Sequence, residues 1–494
     1  MNSPNSPGPG FRETWTPLAS RACVFAGVAL LGLLLGATVA VAEVSALYLC
    51  VSLIGCAFIL RDFRIGVVLL ILLLPISRSR VFPHEMLGIT GLNPFNLLLL
   101  GTLAVFLLHG LFDGSLRRFL PRPLLWLYIV PILIAGVLGS RHLDEIPPYL
   151  FKGLVQFENV TGYFRDIVVK PLGMVLFALL VGAAVSKSEK PEKFLVPMLI
   201  SVWVMVLLVV VFVLESGASL NEMASSESRE FLSSLGMHAN ELGRLYAVAY
   251  ALLLFTWVES KNPGFKLALI VSMGLVVFAL VLTFSRGAFL GFALINVLFL
   301  LWRRNAKTLI LFGFMGACVL LALPDAVYDR ITTGFGHGAG VDSVAVSAGR
   351  IEYIWRPLLP EIPRSPIYGH GLGSILWSDP MRRGAGVTIL AVGHPHNAYL
   401  GALLDMGIVG LVLLCAYFAH VWKGFRALSA DPALSPILRG FYLGATAGLA
   451  CLLISYTTDS SLTPGPEQAF LWLAIGMMYG QRGKDPARGS VHPS

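Results

Sequence analysis

Apolar segments long enough to cross a membrane recur along the whole of this 494-residue chain. A hydrocarbon layer of about 30 Å requires about 20 consecutive apolar residues in a helix. About fourteen segments approach this length, at residues 22–42, 45–60, 64–77, 94–112, 124–138, 169–186, 195–214, 240–258, 266–284, 287–302, 307–324, 397–421, 436–458 and 467–481. Only 13% of the residues are charged and 56% are hydrophobic, which no soluble fold of this length could bury. The sequence therefore predicts an all-α polytopic membrane protein with about 12–14 transmembrane helices.

Positive charge lies in alternate loops between these segments and so predicts one orientation. Lys and Arg cluster at residues 61–64, 115–122, 186–193, 259–266, 302–307, 422–426 and 481–484. Because cytoplasmic loops retain positive charge, both chain ends are expected in the cytoplasm. Membrane topology thus accounts for the formal charge of +8, and no nucleic-acid partner is expected.

The predicted organisation contains a single large loop on the outer face. The parts are a cytoplasmic tail at 1–21, a transmembrane bundle at 22–324, the outer loop at 325–396, C-terminal transmembrane helices at 397–481 and a cytoplasmic tail at 482–494. Within the loop, residues 347–362 have the apolar spacing of a helix. The sequence GHGLGS at 369–374 favours a flexible turn, with a phosphate-binding loop as the alternative.

Arginines occur on the outer face, where the orientation rule disfavours them. They are Arg78, Arg80, Arg141, Arg165, Arg286, Arg330, Arg350, Arg356, Arg364, Arg382 and Arg383. Guanidinium groups bind phosphate in a bidentate manner, so an anionic ligand would account for their presence. Ordinary solvated charge is the alternative, and it is preferred for Arg382 and Arg383. Arg165 lies with Lys170 at the outer boundary of a span.

Two further arginines lie at the outer ends of predicted spans. Arg286 is in LTFSRGAFLG at 282–291, in a short turn where it either binds a lipid-linked phosphate or extends towards lipid head groups. Arg244 is in GMHANELGRLYAVAY at 236–250. It either contributes to the same anion site or forms a local ion pair with Glu241.

The sequence GHPHNAYLGALLDMGIVG at 393–410 places two histidines and an asparagine at the mouth of a span. The intervening proline favours an extended path, and Asn397 can cap the helix. A helix N-terminus favours an anion, and an imidazole there could act as a general base near neutral pH. His394 and His396 could instead be structural, a metal site or a pH sensor. Asp405 lies about 12 Å deeper and is expected to make a buried interhelical contact.

In this order, these motifs resemble those of the O-antigen ligase and polymerase superfamily of bacterial inner-membrane glycosyltransferases. The similarity covers about 236–420 and includes SRG at 285–287, GRIEYIW and SPIYGHGLGS in the loop, and HPHNAYLGALLDMGIVG. The resemblance implies transfer of a glycan from undecaprenyl diphosphate on the periplasmic face, without metal or cofactor. The acceptor would be lipid A–core in a ligase and another lipid-linked repeat unit in a polymerase, within O-antigen or exopolysaccharide synthesis.

The resemblance also implies roles for individual residues. His396 matches the family histidine and Arg286 the family arginine, and we expect both to be catalytic. We expect substrate binding by Arg244, Arg165, Arg350, His394 and Asn397. The family usually carries Glu at the position of Asp405, so no role is transferred to it. The number of spans exceeds the number typical of ligases and slightly favours a polymerase. Expected partners are the lipid-linked donor, the glycan or lipid A–core acceptor, membrane lipid and a polysaccharide chain-length regulator.

A transporter or flippase for lipid-linked sugars is the alternative function. It would share the arginine-lined outer face, but it should also carry ionisable residues deep in several spans. Mid-span charge is nearly limited to Asp405 in this sequence, which favours chemistry at the outer surface. A scaffold or sensor would leave the outer arginines and the histidine motif unexplained.

Overall fold

A computed structural model describes residues 47–113, 119–152, 154–155, 157–217, 232, 235–303, 310, 347, 349–383, 392–458 and 461–484. The long helices are α1 (Leu47–Arg61), α2 (Phe63–Leu73), α3 (Pro94–Asp113), α4 (Arg122–Glu145), α5 (Val160–Ser186), α6 (Pro191–Ser216), α7 (Ala239–Glu259), α8 (Pro263–Leu282), α9 (Arg286–Arg303), α10 (Ala398–Ser429), α11 (Pro436–Thr458) and α12 (Ala469–Lys484). A two-stranded antiparallel hairpin joins Glu85–Met86 to Ile89–Thr90.

Nine of the described helices, α3 to α11, are long and apolar enough to cross a membrane. Helices α1 and α2 are apolar but shorter, and α12 corresponds to the predicted span at 467–481. The predicted all-α polytopic class is confirmed. The predicted span at 22–42, and all but one residue of the span at 307–324, lie outside the described residues.

Among the described residues, three π-helical segments have a common cause in the sequence. They are Leu125–Ile129 in α4, Phe164–Val169 in α5 and Ile351–Trp355 in the outer loop. Each ends two residues before a proline, at positions 131, 171 and 357. Proline has no N–H and its ring clashes with the carbonyl four residues earlier. The wider π turn relieves this clash and lets the helix continue through the proline.

Helix α7 is the centre of the bundle, with 83% of its apolar window buried. It packs against α8, α9 and most extensively against α11. Three glycines of α11, spaced by four residues, allow this approach: Gly440, Gly444 and Gly448. A Cβ atom at Gly444 would lie 2.5 Å from the carbonyl oxygen of Ala251. Small residues at this spacing let two membrane helices approach backbone to backbone, and this contact fixes the position of Arg244 on α7.

Helix α10 is longer than a bilayer requires and is broken near its start. It contains 32 residues, and the backbone leaves helical geometry at Gly407, with φ 63° and ψ −169°. The whole helix would extend about 48 Å, whereas residues 408–429 alone extend about 33 Å, enough to cross a hydrocarbon layer of about 30 Å. Residues 398–406 therefore form a separate first segment on the side of the outer loop.

The outer loop docks into this break through its backbone. The hydrogen bonds run from His370 N to Leu404 O (2.8 Å), Gly371 N to Asp405 O (2.9 Å), Ile408 N to Pro366 O (2.9 Å) and Val409 N to Ile367 O (3.3 Å). These bonds satisfy groups that the break removes from the helical pattern. The GHGLGS turn thus packs against α10, and Leu372 N also donates to Ala135 O of α4 at 2.9 Å.

Asp405 connects the same two elements through its side chain. Its Oδ1 atom accepts hydrogen bonds from Ser374 N at 3.0 Å and from Ser374 Oγ at 2.7 Å. The predicted buried contact of Asp405 is therefore made with the outer loop rather than with another spanning helix. The contact holds the loop against the first segment of α10.

Candidate active site

The histidine motif forms a tight turn at the start of α10. His396 has φ +49°, in the left-handed region that non-glycine residues seldom adopt. Asn397 caps the helix, because its Oδ1 atom accepts from Tyr399 N at 3.1 Å and from Leu400 N at 3.0 Å. Trp355 of the outer loop holds the turn from the other side, with Nε1 donating to Pro395 O at 2.8 Å. The turn is therefore fixed by both the helix and the loop.

The N-terminus of α7 lies beside the histidine turn. It contributes His238, a residue that the sequence analysis did not single out. His238 is the N-cap, and its Nδ1 atom accepts from Asn240 N at 3.2 Å. The Glu241 side chain completes a capping box by accepting from His238 N at 2.8 Å. Arg244 lies one turn further in and is only 5% exposed. The glutamate three residues after His238 was the available signal for this cap, although His is an unusual N-cap.

Arg286 begins α9, whose start is joined to α7. Ser285 Oγ donates to Asn240 Oδ1 at 2.9 Å and accepts from Ala288 N at 3.3 Å, so it both caps α9 and bonds to α7. The preceding Phe284 has φ +47° and is fully buried. The short SRG turn thus places Arg286, which is partly exposed, at the same end of the bundle as His238.

The charges around His396 come from three different elements. The rings of His394 and His396 lie 4.1 Å apart at an angle of 70°. Burial, together with positive charge at His394, Arg350, His238 and Arg244, lowers the pKa of His396 to about 3. The low pKa keeps the His396 imidazole unprotonated in the ligand-free site, and the expected role of His396 as a general base stays a prediction. The site therefore holds a neutral imidazole in a cationic environment that suits an anion.

The remaining predicted site residues differ in their placement. Arg350 Nη1 donates to Thr458 O at 3.1 Å, which ties the start of the loop helix to the end of α11. Arg165 is 54% exposed and forms a bidentate contact with Asp166, at 3.1 and 2.9 Å. Asp166 also pairs with Lys170 at 2.6 Å. The contacts of Arg165 are therefore local to α5, and none of them joins it to the His396 turn.

A metal site was one of the alternatives that the sequence left open for His394 and His396. In the part of the chain that the structure describes, no three His, Cys, Asp or Glu side chains gather as a metal ligand set would.

The low pKa of His396 makes a prediction for stability. The unfolded chain would bind more protons than the native state between pH about 6.5 and about 3, so acidification through this window should lower the free energy of unfolding. His396→Gln should reduce this loss, measured by chemical unfolding in detergent at pH 7 and pH 5. His84 is exposed, and His84→Gln is the control. This variant should show the wild-type pH dependence of the free energy of unfolding. An identical pH dependence in His396→Gln would contradict the prediction.

Comparisons with known proteins bear on this part of the chain. A family model described as O-antigen ligase matches residues 271–415. The match includes Arg286, Arg350 and the histidine motif, and it excludes Arg165 and Arg244.

A curated O-antigen ligase from Pseudomonas aeruginosa is 27% identical over 241 residues. The alignment covers 48% of this chain and 52% of the relative, so the chain spans about half the length of the relative it matches. The family model and the relative together confirm that this chain resembles the O-antigen ligase and polymerase superfamily.

Proposed function

We propose that this chain is a periplasmic-face glycosyltransferase of the bacterial inner membrane, transferring a glycan from undecaprenyl diphosphate during surface-polysaccharide synthesis. The observation that carries the proposal is the neutral, half-buried imidazole of His396, surrounded by cationic groups at a helix N-terminus. This arrangement offers a proton acceptor and an anion site within one turn of chain. The family match over the same residues supports it.

The cationic groups are proposed to bind the diphosphate of the donor. Arg286 and Arg244 act as the principal donors of hydrogen bonds, with Arg350, His394 and the capped N-terminus at Asn397 contributing positive charge. As the glycosidic bond breaks, negative charge grows on the departing diphosphate, and these groups stabilise it. Because side chains supply this charge, we propose a metal-independent reaction. Arg165 is a secondary candidate, since its guanidinium already pairs with Asp166.

The acceptor hydroxyl is proposed to attack the anomeric carbon in line with the leaving diphosphate. A bond forms between the acceptor oxygen and that carbon while the bond to the diphosphate oxygen breaks, which inverts the configuration. The imidazole of His396 accepts the hydroxyl proton, and the diphosphate carries away the bonding electron pair.

Donor binding would also adjust the basicity of His396. A base with a pKa of about 3 accepts a proton poorly at neutral pH. A bound diphosphate places negative charge among the same cations, and a neighbouring anion raises the pKa of an imidazole. His396 therefore becomes an effective base when the donor is in place, which limits proton transfer to the loaded site.

Two acceptors fit this chemistry, and we propose the ligase form. The span count in the sequence slightly favoured a polymerase. The relative aligned over about half of both chains is named an O-antigen ligase, and this name is what supports the ligase form. Lipid A–core is then the acceptor.

A deletion strain tests the proposal. Loss of core-attached glycan on gels, with long undecaprenyl-linked chains remaining, is expected for the ligase form. Accumulation of single lipid-linked repeat units would instead indicate a polymerase. Single units retained on the cytoplasmic face would overturn glycan transfer and favour the flippase.

A further inference from the structure

A polar cavity lies beside the first segment of α10, apart from the His396 turn. Its volume is about 210 Å³. It lies between the end of α4 and the short elements of the outer loop, and its lining includes His142, Glu145, Glu361, Arg364, Trp377 and Arg382. This volume is below that of a drug-sized pocket and suits a single small ring.

The charges of this cavity are compensated within it. Arg382 pairs with Glu145, which ties the outer loop to the end of α4. Arg364 pairs with Glu361 at 3.0 Å and with Asp379 at 2.6 Å. The cavity therefore lacks the excess of positive charge that would select a phosphate. Paired guanidinium and carboxylate groups still retain spare donors and acceptors, which favours a neutral ligand rich in hydroxyl groups.

The aromatic wall of the cavity carries an unsatisfied donor. Trp377 is only 4% exposed and stacks on His142, with ring centroids 5.4 Å apart and an angle of 17°. His142 Nδ1 is in turn 2.7 Å from Glu145 Oε1. The indole N–H of Trp377 is buried and has no hydrogen-bond partner within the described residues. Because a buried donor without a partner is costly, a ligand oxygen is a natural acceptor for it.

We propose that this cavity binds one sugar ring of a glycan substrate. A hydroxyl group both donates and accepts, so it can bond to the paired charges and to the indole N–H. Most of the residues that line this cavity are polar or charged, which suits a ring that carries several hydroxyl groups. This inference rests on the proposed glycosyltransferase function and adds a glycan subsite that is separate from the diphosphate site.

The first segment of α10 joins the proposed subsite to the His396 turn. Leu404 lines the cavity, and Ser374 in the same wall bonds to Asp405 of α10. From Asn397 to Leu404 the helix rises about 10 Å. A ring held in the cavity would thus position the rest of its glycan near His396, because the loop and the first segment of α10 are joined by hydrogen bonds.

The test compares Trp377→Phe with Trp126→Phe in the full-length protein. The first substitution removes the indole N–H and keeps an aromatic ring in the core. The second is the same change at a 61% exposed position of α4. The probes are core oligosaccharide and repeat-unit polysaccharide released by mild acid from the lipopolysaccharide of the host bacterium. Binding to purified protein in detergent is measured by calorimetry, without any turnover.

We expect Trp377→Phe to weaken binding of one probe at least tenfold, while Trp126→Phe binds as the wild type does. The probe affected identifies the ring as belonging to the acceptor or to the donor glycan. Glu145→Gln, which weakens the Arg382 pair, should lower affinity for the same probe. Equal binding by wild type and Trp377→Phe, or binding of neither probe to the wild type, would overturn the subsite. A deletion strain that retains glycan transfer would overturn the proposed function independently, whatever the binding result.

Discussion

His396→Ala is expected to reduce the rate of glycan transfer by about 10²–10⁴-fold, the range associated with loss of a general base. The imidazole is held in the turn by Asn397, which caps α10, and by the bond from Trp355 to the carbonyl of Pro395. Removing the ring therefore leaves the donor bound and the acceptor hydroxyl without a proton acceptor.

The measurement is transfer from a lipid-linked donor by purified variants at saturating donor. His84→Ala is the matched control, because it removes an exposed histidine from another loop on the same predicted face. His84→Ala should retain wild-type activity. Full activity of His396→Ala in a folded protein would exclude the base assignment. A loss confined to donor affinity would instead assign His396 to binding.

Gly371→Ala is expected to lower the free energy of unfolding by about 2–5 kcal/mol, towards the upper end of this range. The loss combines backbone strain with overpacking. Gly371 has φ +89°, and a Cβ atom there would lie 2.1 Å from the backbone nitrogen of Gly139. The three nearest atoms, Gly139 N, Gly139 Cα and the carbonyl carbon of Leu138, all belong to the backbone of α4, which cannot move aside as a flexible side chain would. The substitution should therefore separate the outer loop from α4.

Gly91→Ala provides a control with nearly the same backbone angle. Gly91 has φ +87°, but a Cβ atom there would meet nothing within 4 Å. Only the strain of a left-handed alanine remains, so we expect a loss of about 1–2 kcal/mol. Thermal unfolding of both variants in one detergent measures the difference. Equal losses would mean that the loop does not approach α4 as closely as the structure indicates.

Much of the fold could be predicted because hydropathy and helix period are local properties. The predicted spans at 240–258 and 436–458 match α7 and α11 to within a residue or two at most ends. The break at Gly407 could not be predicted in this way. Its glycine stands in an apolar run, and the groups that satisfy the broken helix come from residues 366–371, more than thirty positions earlier.

The candidate site likewise combines residues that the sequence marks locally with residues that only tertiary packing brings together. His396 and Asn397 could be singled out because both stand at a helix start, which a sequence marks directly. The contribution of His238 depends on α7 reaching the same end of the bundle. The proposed glycan cavity depends on Trp377 meeting His142, which lies far away in the sequence. Those contacts follow from tertiary packing, so no local pattern could have indicated them. The catalytic and binding roles themselves stay predictions.

The broken start of α10 has a consequence for biosynthesis. The ribosome makes α4 first, the outer loop much later and α10 after that. Until the loop docks, the carbonyls of Leu404 and Asp405 and the N–H groups of Ile408 and Val409 depend on water, because lipid offers no hydrogen bonds. The nascent chain must therefore hold the break at the water interface while α10 inserts. The histidine turn is completed only after that step, so a newly made chain would gain its proposed reactive centre late in assembly.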